Sequence, residues 1–148
     1  MDQPSKLSGA GRAALAAAAL GVGYAARAQA GPLNVALLGL GVRGQRRLAQ
    51  LSRLAEVRVV TAADPDEATW GGAPAGVTPV ADPRVALAAD GVDAVLVCLP
   101  THWTALAGVL ALRAGRHVFL EPPAAWSFAE GQALLAAARS EERRVGKE

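Results

Sequence analysis

The chain has 148 residues, 52% hydrophobic, 19% charged and 4% aromatic, a balance that suits one compact domain and excludes disorder or a collagen-like repeat. A single cysteine, Cys98, and two histidines, His102 and His117, exclude a disulfide framework and a multi-cysteine zinc site. The net charge of +2 comes from residues 1–30, where Lys6, Arg12 and Arg27 stand against Asp2; the rest is balanced and lacks the basic face a nucleic-acid binder needs.

Residues 1–30 read as a leader. A mildly basic start precedes an apolar run over 13–26, and Ala28-Gln29-Ala30 forms an A-x-A-like cleavage pattern before Gly31. Export to the periplasm is the expectation; the alternative is a plain N-terminal extension of a cytoplasmic protein. The run is too short and too alanine-rich to predict a stable membrane span. A continuous apolar run over 33–38 then predicts a strand buried on both faces. The stretch 42–54 predicts a helix with Val42, Leu48, Leu51 and Leu54 near one face and its arginines opposite. A β-branched strand follows over 57–62. Prolines and glycines over 70–83 break any long helix and leave room for a short strand over 77–80.

Further along, 83–89 predicts a brief helix and 94–98 a second buried strand. A helix over 101–114 is stopped by Gly115, 117–120 is a strand, and Ser127 caps a helix running to about Arg139. Strands separated by helices predict an α/β fold with a doubly wound parallel sheet. Six charged residues among the last nine predict a tail outside the domain. The expected division is therefore 1–30 leader, 31–139 domain and 140–148 tail.

The strongest chemical signal is Gly39-Leu40-Gly41-Val42-Arg43-Gly44. A G-x-G-x-x-G means little alone, but this one follows a buried strand and opens a helix. The first glycine allows the tight turn, the second lets backbone approach a pyrophosphate, and the third lets helix and strand pack closely. The helix N-terminus presents free N–H groups to phosphate oxygens. Asp64, twenty residues past Gly44, can accept from ribose hydroxyls and repel a 2′-phosphate; it can equally cap the segment starting at Pro65. Fingerprint, strand and acid predict a dinucleotide cofactor, NAD with NADP possible. No catalytic residue and no metal ligand emerges. A methyltransferase-like site is disfavoured by the complete fingerprint.

Four stretches together resemble one family: 35–44 with the fingerprint, 63–66 with Asp64, 91–100 leading into Leu99-Pro100, and 114–123 ending in Glu121-Pro122-Pro123. In order and spacing they are similar to the N-terminal Rossmann domain of the Gfo/Idh/MocA oxidoreductases. The resemblance implies NAD(P)-dependent hydride transfer at a hydroxyl carbon, usually of a sugar or polyol. It places Leu99, Pro100, Thr101 and His102 beside the nicotinamide ribose, although His102 could equally be a solvated helix-start residue, and it counts Glu121 among the cofactor contacts. His117 reads as structural. The family's Glu-Lys-Pro lysine, which serves the reacting oxygen, is replaced by Pro122. The family's other proton-transfer residues lie in a C-terminal domain, which the chain is expected to lack. Cofactor binding is thus implied and turnover is not. A carbohydrate-like substrate is expected only where a second domain is present, and a catalytically silent nucleotide-binding protein is the alternative.

Overall fold

The computed structural model describes residues 31–145; the leader and residues 146–148 of the expected tail lie outside them. Among the described residues, ten elements follow one another. They are β1 (Leu33–Leu38), α1 (Val42–Leu51), β2 (Val57–Ala63), a 3-10 helix (Glu67–Gly72), β3 (Pro79–Val80), α2 (Pro83–Ala88), β4 (Ala94–Val97), α3 (Thr101–Arg113), β5 (His117–Leu120) and α4 (Phe128–Val145). The five strands form one sheet in the order β3-β2-β1-β4-β5, and every pairing is parallel. The doubly wound parallel α/β fold is the one the sequence predicts.

Register sets where a site can form. Val80 pairs with Ala63, Ala63 with Leu38, Leu38 with Val97, and Val97 with Leu120. All five strands therefore end in one row, and every following turn leaves from the same rim. Strand order reverses between β1 and β4, the switch point at which such sheets hold ligands.

Two apolar layers cover the sheet because successive strand residues point to opposite faces. Ala36 and Leu38 join Val95, Val97, Ala86, Leu87, Ala107 and Ala111 on the face covered by α2 and α3. Val35 and Leu37 join Leu40, Leu48, Leu96 and Cys98 on the face covered by α1. α4 rests on α3, where a Cβ on Gly108 would come within 2.8 Å of Leu134.

Several predicted boundaries move. α1 ends at Leu51, three residues early, because 52–54 turn back onto Gln50 and Leu51 through the amides of Arg53 and Leu54. Val42, expected on the apolar face, is 70% exposed, since it stands where the glycine turn enters the helix. The crossover from β2 to β3 is the short 3-10 turn, capped by the Asp66 side chain accepting from the Ala68 amide. β3 keeps only two residues of the four predicted. Ser127 accepts from the Glu130 amide as the predicted cap, and Glu130 reaches back to the Trp126 amide. The helix it starts passes the predicted end near Arg139 and continues to Val145. The charged residues read as a tail, yet Glu and Arg are good helix formers.

Candidate dinucleotide site

The turn after β1 is fixed by its surroundings. Gly39 adopts φ +96°, and a Cβ there would sit 2.7 Å from the Cys98 carbonyl oxygen, so the turn and the end of β4 touch backbone to backbone. A Cβ on Gly44 would meet the Gly39 carbonyl oxygen at 1.8 Å; only glycine lets the first turn of α1 close onto the loop. Gly41 differs from both. It is the N-cap of α1 in extended conformation, and a Cβ on it would meet nothing within 4 Å. α1 has no acidic residue in its first turn and no side-chain cap, so the positive end of its dipole is not offset from within the helix.

Asp64 ties the rim together. Its Oδ2 accepts from the Leu40 amide at 2.7 Å and its Oδ1 from the Asp66 amide at 2.9 Å. Its own amide donates to the Val80 carbonyl, and its carbonyl accepts from the Trp70 indole N–H. Asp64 thus closes a turn over Pro65, while the cap of the 3-10 helix that follows is Asp66. A carboxylate offers about four lone-pair positions, so two remain for a ligand.

Around this turn lies a cavity of about 710 Å³. Of the residues singled out from the sequence, Gly39, Gly41, Val42, Arg43, Asp64, Leu99, Pro100 and His102 are on its wall. Leu40 lies beneath it, fully buried, with its amide held by Asp64, and Gly44 packs under the loop. Thr101 and Glu121 are not on the wall. Glu121 instead forms an ion pair with Arg47 of α1, its amide donating to the Val97 carbonyl. Cys98, Ala81, Pro83 and Trp103, which the sequence does not single out as site residues, also line the wall. Burial, reinforced by the negative charge of Glu121, pushes the Cys98 thiol up to about 12, which leaves it protonated and unreactive at neutral pH. Among the described residues, no cluster of three or more His, Cys, Asp or Glu side chains could hold a metal ion.

The three glycines and the open helix end at the switch point define a dinucleotide-binding domain of the Rossmann type. Residues 33–148 match the oxidoreductase family with an NAD-binding Rossmann fold, Gfo/Idh/MocA. The chain belongs to that family and supplies its NAD-binding fold. It is 33% identical over 110 residues to 4-carboxy-2-hydroxymuconate-6-semialdehyde dehydrogenase of Sphingobium sp. (strain NBRC 103272 / SYK-6), covering 70% of this chain and 34% of that one. The structure of myo-inositol 2-dehydrogenase from Lactobacillus plantarum superimposes with TM-score 0.67 and 25% identity, covering 74% of this chain and 34% of that one. Biliverdin reductase from Synechocystis sp. PCC 6803, in complex with biliverdin and NADP+, gives TM-score 0.70 and 28% identity, with 75% and 36% covered. The chain spans about a third of the length of these relatives.

Proposed function

We propose that this chain is the cofactor-holding part of an oxidoreductase acting on a hydroxyl group of a carbohydrate-like compound, and that it contributes no proton-transfer group of its own. The observation that carries the reading is Gly41, the one fingerprint glycine on the cavity wall whose missing side chain faces open space. A pyrophosphate would lie against Gly41 and the amide end of α1, with Asp64 accepting from ribose hydroxyls and Arg43 near the phosphates. Bound there, the nicotinamide would give or take a hydride. Asp64 and Asp66, both on the wall, favour NAD over NADP because a 2′-phosphate would meet two acids.

The reading is tested by Gly41→Val. The variant is expected to fold like the parent and to lose NADH binding by about a hundredfold or more, read by titration calorimetry. If it titrates like the parent, the nucleotide binds elsewhere.

A silent nucleotide-binding protein is the second reading, and Pro122 favours it. Proline has neither charge nor N–H, and a missing general acid or base costs about 10²–10⁴-fold in rate. We expect no steady NADH production from a panel of sugars and polyols; sustained turnover would refute the absence of a proton-transfer group. We also propose that residues 1–30 direct export with cleavage after Ala30. N-terminal sequencing of periplasmic protein should then begin at Gly31, and intact Met1 in the cytosol would refute it.

A further inference from the structure

The cavity continues past the glycine turn. Beyond Asp64 its wall runs through Ala81, Pro83, Leu99 and Trp103, and these same four residues line an adjoining groove of about 560 Å³ that reaches Leu106 and Leu110. The groove is predominantly apolar. The two ions at its edge neutralise each other, with Nε and Nη2 of Arg84 on the carboxylate of Asp82 at 2.6–3.0 Å. Trp103 stands on the first turn of α3 and is 53% exposed, while the residues after it, Thr104 and Ala105, are buried. A large aromatic face beside an apolar slot, left half in solvent, is poorly accounted for by the core of this domain. It suits a flat ring system brought by a ligand.

We propose that Trp103 is the stacking platform for the nucleobase of the dinucleotide, with Pro83 and Leu99 completing the slot. The inference rests on the cofactor reading above: with the pyrophosphate at Gly41 and the ribose at Asp64, the base leads away from α1 along this wall. Trp103 then sets affinity for the adenylate half of the cofactor and is separate from the fingerprint that holds the phosphates. Stacking uses the ring face, so phenylalanine can stand in for tryptophan where alanine cannot.

The test titrates the full chain, Trp103→Phe and Trp103→Ala with NADH and with ADP-ribose, using calorimetry and tryptophan fluorescence. Base–aromatic stacking predicts a loss of about tenfold or more for both ligands in Trp103→Ala, and less than about threefold in Trp103→Phe. ADP-ribose should quench the parent's fluorescence, and that quenching should shrink in Trp103→Phe. If the parent binds NADH and Trp103→Ala binds both ligands within about twofold of it, the platform is wrong and the cofactor reading stands. If the parent binds neither NADH nor ADP-ribose, the cofactor reading fails and takes the platform with it. Matching circular dichroism spectra separate either result from misfolding.

Discussion

Two turns leave the same rim of the sheet, one after β1 and one after β5, and they are held in different ways. The first is specified by backbone contact: Gly39 against the Cys98 carbonyl and Gly44 against the Gly39 carbonyl. The second is specified by side chains, with the Glu121 carboxylate paired to Arg47 of α1 and two prolines following. A turn fixed by the absence of side chains tolerates almost no substitution and cannot change its chemistry. A turn fixed by side chains can exchange them while the strand ends stay in register. The glycine turn is therefore held more firmly than the side chains that shape the second turn.

The contrast is most easily broken at Gly44. Gly44→Ala puts a methyl group onto a carbonyl that belongs to the same turn, and neither partner can rotate away. We expect a loss of about 3 kcal/mol, at the upper end of overpacking costs, read from urea unfolding. A loss below about 0.5 kcal/mol, within the range of an ordinary surface change, would mean the turn is less rigid than its contacts imply.

Cys98 lies between the two turns, its carbonyl against Gly39 and its thiol near Glu121. Its thiol is held up to about 12 against an ordinary 9.0, so the unfolded chain releases that proton first. Its contribution to stability is complete below about pH 9 and declines as pH rises toward 12. The parent should therefore lose stability relative to Cys98→Ala across that window, and a pH-independent difference would refute the assignment. Labelling by iodoacetamide at pH 8 should be slow in the native protein and fast in denaturant.

The smallest effect is expected at the second turn. Arg47 is 46% exposed at its side chain and Glu121 11%, a half-solvated pair of the sort that contributes about 1 kcal/mol or less. Arg47→Ala should cost no more than that and leave NADH affinity within about twofold. A large loss of binding would show that the two turns are coupled through α1.

The sequence disclosed most where burial and backbone geometry act locally. Strands covered on both faces read as unbroken apolar runs, which is why β1 and β4 were plain, and Gly39 and Gly44 are legible because each answers a nearby steric demand, while Gly41 is legible only from its spacing between them. Glu121 was less legible because its partner lies 74 residues away, beyond any local pattern. Trp103 was hidden in a helix that is apolar on most sides, where one aromatic residue carries no periodic signal. The end of α4 was obscured because charge at a terminus reads equally as a solvated helix or a tail.

Asp64 has a consequence for the entropy of binding. Its carboxylate is already fixed by the Leu40 and Asp66 amides, so its rotamer freedom is lost on folding rather than on meeting a ligand. Immobilising a free side chain at an interface costs about 0.5–1.5 kcal/mol. A hydroxyl that donates to the remaining lone pairs of Asp64 avoids that cost, and it finds an acceptor whose direction was set when β2 closed onto the glycine turn.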